Sequence, residues 1–309
     1  MAITSQMVKI LRDKTNAGMM DCKKALTECG GDIEKAVDWL RQKGLMTARK
    51  RAGRATKEGL VLGAESSDGQ ISALVELNSE TDFVAKMDSF RELTATIATY
   101  LVENTDTPAD VAGLLTRKCP RCGQIIGELI SSAVGTTGEN MNLRRFAVFN
   151  APPEGGLVHT YIHMGGRLGV MVSLKAEKKG PEAVELAHNL AMQIAAANPL
   201  SIGIEHLPPE VIERERAVLT VKAEAEAKAK VEKSKGKNLD INAILPKIIE
   251  GQLKKFYSEV VLLEQPYVKE PSKNMAQVLK EAKDKVGQAE IAAFVRFQLG
   301  EELEGDAEE

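Results

Sequence analysis

The chain has 309 residues, of which 43% are hydrophobic and 28% charged, with a formal net charge of −3. This length supports two or more domains, and the acidic balance argues against sequence-independent nucleic-acid binding by the whole molecule. No apolar run reaches the roughly 20 residues that a membrane-spanning helix needs. Residues 1–13 also lack the apolar block of a signal peptide, so we expect a cytoplasmic protein.

Residues 1–54 predict a compact three-helix unit. Apolar residues recur at helical spacing in three short segments; Gly30-Gly31 ends the second, Asp32 caps the third, and Gly44 ends it. A basic, Ala-rich connector follows at residues 49–57. Such a run could contact nucleic acid, but a solvated helix face or linker is the more common structure.

Two strands are predicted at 60–65 and 70–77, because Asp68-Gly69 between them is a strong hairpin turn signal. A long amphipathic helix is predicted from Asp82, and a further helix leads into a strand at 142–149. The predicted apolar stripe of the long helix consists of Phe83, Met87, Phe90, Ile97 and Leu101.

The junction at residues 78–86, where the second strand gives way to the long helix, is the most informative segment. Ser79, Thr81 or Asp82 can cap the helix, because short polar side chains accept hydrogen bonds from its unpaired first-turn N–H groups. A Phe at a helix start, here Phe83, usually packs inward. The alternative is that Asp82 and Phe83 point outward, as a charge and an apolar wedge directed at a partner.

The same order of elements recurs downstream. Strands are predicted at 157–163 and 167–176, joined by Met164-Gly165-Gly166, and a helix begins at Pro181. A hairpin followed by a helix, used twice, predicts two related α+β subdomains.

The last third of the chain begins with a predicted helical hairpin. Residues 210–237, rich in Ala, Glu and Lys, predict a protruding helix that reverses at 234–237 and returns through 241–255. The elements predicted after it are a short strand at 260–263, chain breaks at Pro266 and Pro271, a helix at 275–285, a strand at 293–299 and an acidic tail at 301–309.

Several short motifs stand in a fixed order along nearly the whole chain. The most specific are residues 15–26, TNAGMMDCKKAL, and residues 81–86, TDFVAK. The supporting motifs are Gly138-Glu139-Asn140, Arg144-Arg145-Phe146, Tyr161-Ile162-His163 and residues 166–170, 265–268 and 270–273. With these motifs the chain resembles the elongation factor Ts family, the guanine-nucleotide exchange factors for elongation factor Tu.

The resemblance implies an α+β architecture of five parts. These parts are an N-terminal UBA-like (ubiquitin-associated-like) three-helix domain at 1–54, a core N-subdomain at 55–150, a core C-subdomain at 151–205 and 256–270, an inserted antiparallel helical hairpin of the coiled-coil or dimerisation type at 206–255, and a C-terminal helical module with the acidic tail at 271–309.

The resemblance also implies a mechanism for the junction. Thr81, Asp82, Phe83 and Val84 would enter Tu beside its magnesium ion. Phe83 would fill an apolar pocket, while Asp82 would disturb the groups that support the magnesium and leave the phosphates of GDP poorly neutralised. The resemblance therefore favours an exposed Phe83, in keeping with the aromatic residues that dominate many interfaces.

Further contacts with Tu are implied for Arg12, Met19, Met20, Asp21 and His163. Because Met fills irregular gaps in small cores, we expect one of the two methionines inside the three-helix core and the other outside it. His163 would lie in a turn near the partner, and the role of the neighbouring Met164 stays open.

The implied partner is Tu, both GDP-bound and nucleotide-free, and the resemblance implies no cofactor, bound metal, covalent catalysis, membrane or specific nucleic acid. Whether the helical hairpin joins two complexes into a homodimer stays open. One competing class is an RNA- or ribosome-binding factor that uses the basic connector and the hairpin. The other is a thiol-dependent enzyme, although no phosphate-binding Gly loop, Cys/His nucleophile pair or carboxylate dyad supports it.

Four cysteines are too few for a disulfide framework in a chain of this length. Cys119 and Cys122, followed by Gly123, depart from the family pattern and resemble half of a zinc ribbon. No second pair supplies the remaining ligands of tetrahedral zinc, since Cys22 and Cys29 belong to the three-helix unit. The surrounding helices also lack the context of a redox dithiol. We expect an inert surface loop, with metal binding and redox chemistry as the alternatives.

Overall fold

A computed structural model describes residues 2–15, 17–104, 106–233 and 241–303, with the backbone alone for 227–233 and 241–243. Asn16 of the first motif, the predicted reversal at 234–237 and the acidic tail beyond Leu303 lie outside the described residues.

Groups of helices alternate with groups of short strands along the chain. The helices are α1 (Ser5–Thr15), α2 (Met19–Glu28), α3 (Ile33–Arg51), α4 (Asp82–Ala85), α5 (Asp88–Glu103), α6 (Val111–Leu115), α7 (Ile126–Thr137), α8 (Pro181–Ala197), α9 (Pro209–Lys233), α10 (Ile241–Val260) and α11 (Met275–Val286). The strands are β1 (Glu58–Glu65), β2 (Ile71–Ser79), β3 (Met141–Asn150), β4 (Gly156–His163), β5 (Leu168–Ala176), β6 (Pro266–Tyr267), β7 (Glu270–Asn274) and β8 (Ala289–Gln298). They form sheets with the orders β1–β2–β3, β4–β5–β8 and β6–β7. The predicted α+β class is confirmed.

Contacts between residues divide the chain into two compact units. The first contains Met1–Ala151, Val158–Met171 and Val295–Glu309, and the second contains Pro152–Leu157 and Val172–Phe294. The five-part division inferred from the sequence stays a prediction.

The first three helices share a small core within the first unit. Leu11 of α1, Cys22 of α2 and Ala36 of α3 are fully buried in it. Asp32 caps α3, as predicted, by accepting a hydrogen bond from the N–H of Lys35 at 3.1 Å. Because isolated helices as short as α1 and α2 are only marginally stable in water, the core shared with α3 is what holds them in place.

The prediction that Gly44 ends the third helix is wrong, because α3 continues to Arg51. Gly44 instead lies where α3 crosses α7: a Cβ atom built on Gly135 would lie 2.7 Å from the Cα of Gly44. The two glycines therefore let the helix backbones approach more closely than a side chain would allow. The ion pair between Arg41 and Glu128 joins the same two helices.

The first sheet is a hairpin extended by a third strand. β1 pairs antiparallel with β2, and β2 pairs antiparallel with β3. Gly69 takes a φ of +65° in the turn between β1 and β2, a conformation that glycine adopts without strain. α5 packs on this sheet through Phe90, Ile97 and Leu101, which are at most 1% exposed.

The single long helix predicted from Asp82 is wrong, because α4 ends at Ala85 and α5 begins at Asp88. Met87 between them has extended backbone, with φ −68° and ψ 138°, and so interrupts the regular helical hydrogen bonding. The predicted apolar stripe fails at the same place: Phe83 is 79% exposed and Met87 42% exposed. The break lets α4 take its own direction and present different side chains to the core.

In the second unit, α8 buries Leu190 and Ile194 completely.

The prediction of a strand at 260–263 is wrong, because Val260 ends α10 and a 3₁₀ turn covers Leu262–Glu264. The region of the predicted break at Pro266 and Pro271 instead forms the two-stranded sheet of β6 and β7. Proline, which lacks an N–H, is tolerated at such sheet edges.

Candidate functional site

The segment that joins β2 to α4 is built around Thr81. Thr81 has extended backbone and caps α4, its Oγ1 accepting a hydrogen bond from the N–H of Val84 at 3.5 Å. The hydroxyl of Ser79 donates to the carbonyl oxygen of Thr81 at 2.9 Å. Of the three predicted caps, Thr81 is the one that caps the helix. The chain therefore leaves the sheet and starts a helix within two residues.

A loop distant in sequence holds this junction. The carboxylate of Glu139 accepts two hydrogen bonds from Thr81, one from its N–H at 3.0 Å and one from its hydroxyl at 2.7 Å. The next residue, Asn140, donates its N–H to the carboxylate of Glu80 at 2.6 Å. Gly138 ends α7 with a φ of +75° and turns the chain toward the junction. The motif Gly138-Glu139-Asn140 thus has a structural role: it braces Glu80 and Thr81.

Glu80 also ties the end of α3 to the junction. Its carboxylate lies 3.2 Å from Arg54 and 3.7 Å from Arg51, and the carbonyl of Arg54 accepts from the side-chain amide of Asn140 at 2.8 Å. The Asn140 N–H, followed by the two arginines, holds the pKa of Glu80 below its ordinary value. Arg51 and Arg54 of the basic connector therefore form intramolecular ion pairs with Glu80.

The braced helix start presents one face to the core and another to solvent. Val84 is 6% and Ala85 5% exposed, whereas Phe83 is 79% exposed. Asp82 lies beside Phe83 and forms a 2.6 Å ion pair with Lys86. The hydrogen bond from Lys86 is the largest cause that lowers the pKa of Asp82. At neutral pH the surface therefore carries a negative carboxylate next to an uncovered aromatic ring. Burying such a ring stabilises a protein by about 1.5–3 kcal/mol relative to leaving it in water. A partner that covers the ring of Phe83 would gain this free energy on binding.

The first motif forms a second exposed apolar surface. Met19 and Met20 at the start of α2 are 60% and 72% exposed, and together with Val8 and Arg12 they line a groove of about 530 Å³. The expectation that one methionine lies in the core is wrong, because residues of α1, α2 and α3 already fill that core. Asp21 points elsewhere and pairs with Lys43 of α3.

His163 is the exposed last residue of β4, directly before the turn that leads to β5. Its Nδ1 is 2.8 Å from the Tyr161 hydroxyl, and the two rings stack with centroids 5.7 Å apart. Met164, whose role the sequence left open, is 69% exposed and has a φ of +50°. Arg91 of α5 donates to the carbonyl of Gly165 at 3.2 Å and so ties the turn to the helix that follows the junction.

Sequence reasoning missed two residues around these surfaces. Lys86, which pairs with Asp82, has the i, i+4 spacing that could have been found in the sequence. Glu139 lies 58 positions from Thr81, and no local pattern signals that pairing.

The described residues contain no group of three or more His, Cys, Asp or Glu side chains that could hold a metal ion. Within the same ranges, no helix combines the length and the apolar character needed to cross a membrane. The site consists of exposed side chains on a braced frame, which suits contact with a macromolecule.

Residues 80–301 match the family described as Elongation factor TS. The chain is 45% identical over 306 residues to elongation factor Ts of Desulfovibrio desulfuricans, covering 97% of this chain and 99% of that protein. It is 42% identical to the Aquifex aeolicus protein of the same name, with 97% and 99% covered, and 44% identical to that of a Bradyrhizobium species, with 98% and 94% covered.

These matches define the chain as a translation elongation factor. Within that class, the chain belongs to the elongation factor Ts family, which acts as nucleotide exchange factor for elongation factor Tu. The resemblance drawn from the motifs is confirmed.

Proposed function

We propose that this protein binds GDP-bound elongation factor Tu in the cytoplasm and releases GDP by inserting Phe83 beside the magnesium site of Tu. The observation that carries the proposal is the 79% exposure of Phe83 on a helix whose next two residues are buried. Because the buried neighbours already fix the backbone of Phe83, binding has to order only the side-chain rotations of the ring, and exposed aromatic side chains are common interface anchors.

Asp82 and Phe83 have separate parts in this mechanism. Phe83 contributes apolar contact, and Asp82 brings a negative charge toward the groups that hold the magnesium. Without the cation, the phosphates of GDP are poorly neutralised and the nucleotide leaves. Since coupling between two ligands is reciprocal, bound GTP weakens the contact with this protein by the same factor and releases it.

The outer surfaces add contact area to this central pair. Thr81 and Val84 place the helix start, one through its cap and the other through its buried side chain. Arg12, Met19 and Met20 on one surface, and His163 with Met164 on another, would bind Tu away from the nucleotide. Asp21 would act indirectly, because Lys43 already occupies its carboxylate. Whether α9 and α10 join two complexes into a homodimer stays open.

The test measures release of fluorescent GDP from Tu of the same organism. Phe83→Ala should slow the stimulated release at least tenfold, because it removes the anchor. Met46→Ala is the matched control, since Met46 is also exposed, at 61%, but lies on α3 outside the three surfaces. An unchanged rate with Phe83→Ala would exclude the wedge.

Asp82→Asn separates the two roles, since it keeps the shape of the side chain and removes its charge. With magnesium present, we expect slower release than with the unchanged protein. With magnesium removed by a chelator, the two proteins should release GDP at equal rates, while Phe83→Ala remains slow. A defect of Asp82→Asn that is equally large under both conditions would refute the role in magnesium loss.

A further inference from the structure

The loop between α6 and α7 brings two cysteines together on a tightly hydrogen-bonded backbone. The Cys119 N–H donates to the carbonyl of Gln124, and the Gly123 N–H donates to the carbonyl of Cys119, both at 2.8 Å. Lys118 and Ile125 pair as an isolated β-bridge at the base of the loop. This backbone fixes the relative positions of the two cysteine side chains.

The two sulfur atoms are already in contact. The Sγ atoms of Cys119 and Cys122 lie 3.1 Å apart, so a disulfide bond of about 2.05 Å requires them to approach by only about 1 Å. Cys119 is 2% exposed, whereas Cys122 is exposed. The pair thus consists of one accessible thiol and one protected thiol directly behind it.

This arrangement favours a disulfide over a metal. Structural zinc takes four protein ligands, and the described residues contain no cluster of even three suitable side chains. A disulfide needs only the two sulfur atoms, which the loop supplies.

Open space leads to the accessible thiol. Cys122 lines two cavities of about 330 and 250 Å³, both of which also touch Thr15 and Leu129. A small disulfide can therefore approach Cys122 from the groove between α7 and the first helices, while Cys119 stays covered.

We propose that Cys119 and Cys122 form a reversible disulfide, which makes this loop a site of thiol–disulfide exchange with low-molecular-weight disulfides. This differs from the inert loop expected from the sequence. It involves no contact with Tu and is independent of the exchange function proposed above.

The exchange has two balanced steps. The Cys122 thiolate attacks a small disulfide RSSR, forming the mixed disulfide Cys122–S–S–R and releasing RS⁻. The Cys119 thiolate then attacks the Cys122 sulfur, forming the Cys119–Cys122 bond and releasing a second RS⁻. The two protons lost by the cysteines pass to the two released thiolates, so that RSSR is reduced to two RSH and the protein is oxidised by two electrons.

The environment of Cys122 makes the disulfide favourable and slow to form. Partial burial of its thiol, followed by the hydrogen bond and charge of Cys119, raises the pKa of Cys122 to about 11. A thiol with a raised pKa stays protonated, so ionisation to the thiolate does not stabilise the reduced form. The equilibrium between dithiol and disulfide therefore lies further toward the disulfide. Because the thiolate is the attacking species, the reaction should be slow near neutral pH.

The experiment treats the full-length protein with buffers of reduced and oxidised glutathione, then alkylates the remaining thiols in denaturant and determines the mass. After treatment with the oxidising buffer, only two of the four cysteines should react with the alkylating reagent. Trypsin cuts after Lys118, Arg121 and Arg144, so the oxidised sample should contain residues 119–121 linked to residues 122–144 by a bond that reductant breaks.

Two variants act as controls. Cys122→Ser changes an exposed position and should abolish the linked peptides while the protein stays folded. Cys29→Ser removes a thiol of the three-helix unit and should leave them unchanged. Between about pH 7 and pH 9, well below the pKa of Cys122, the rate of oxidation should rise about tenfold for each pH unit, because it follows the thiolate fraction.

Several results would overturn the proposal. One is that all four cysteines still react with the alkylating reagent after treatment with a large excess of oxidised glutathione. Others are a glutathione adduct on Cys122 that Cys119 does not displace, a link from Cys122 to Cys29 or to a second chain, and stoichiometric zinc that protects the two thiols in the purified protein.

Discussion

The carboxylate of Glu139 should control nucleotide exchange without touching Tu, because it holds the segment that presents Phe83. Glu139→Ala removes both hydrogen bonds from Thr81. Hydrogen bonds to a charged group contribute roughly 1.5–3 kcal/mol each, and both residues are half-buried, so the lower figure applies. The junction then loses about 3 kcal/mol of local ordering.

Binding to Tu then has to restore that order, so the affinity for Tu falls by the same free energy. Since each 1.4 kcal/mol is a factor of ten, about 3 kcal/mol corresponds to a weakening of about a hundredfold. Glu139→Gln keeps one carbonyl acceptor and should weaken binding about tenfold. The assay is the concentration of this protein that gives half-maximal GDP release from Tu, together with the midpoint of thermal unfolding.

The matched control is Glu34→Ala. Glu34 forms an ion pair with Lys14, but its side chain is 80% exposed, and exposed pairs contribute at most about 1 kcal/mol. It should change neither binding nor unfolding appreciably. The bracing role of Glu139 is refuted if Glu139→Ala stimulates release with an unchanged half-maximal concentration.

Two further predictions concern stability. Gly135→Ala should lower the free energy of unfolding in urea by about 1–3 kcal/mol, because its Cβ would lie 2.7 Å from the Gly44 backbone. Gly251→Ala in α10 has open space and should be neutral or stabilising by up to about 1 kcal/mol; equal effects of both changes would contradict the close helix crossing. Glu80 has a folded-state pKa below its ordinary 4.5, so its contribution is present above pH 4.5 and is lost as the pH falls through the folded-state pKa. Glu80→Gln should flatten the fall in unfolding free energy below pH 4.5, and an unchanged pH profile would exclude this role.

Local patterns in the sequence predicted much of the fold. Asp68-Gly69 marks the hairpin turn, Asp32 marks the start of α3, and Pro181 marks the start of α8. Each of these signals acts through the backbone geometry of one or two residues, so it can be recognised without any tertiary contact. The family motifs likewise lie within short segments.

The tertiary structure decided which side chains of the junction face outward. The same periodicity that predicted one buried stripe contains Phe83 and Phe90, of which one is 79% and the other 1% exposed. The backbone break at Met87 separates them, and the position of α4 depends on Glu139, 58 residues from Thr81. Periodicity describes a regular helix and carries no information on where such distant contacts interrupt it.

Gly44 shows the same division between sequence and structure. A glycine at that position fits a helix end as well as a close helix crossing, and only the partner helix distinguishes the two. The sequence by itself therefore determined the family, the α+β class and the order of most elements. The outward direction of Phe83 and the contact of Cys119 with Cys122 required the folded chain, because both depend on backbone geometry and packing that residue spacing does not encode.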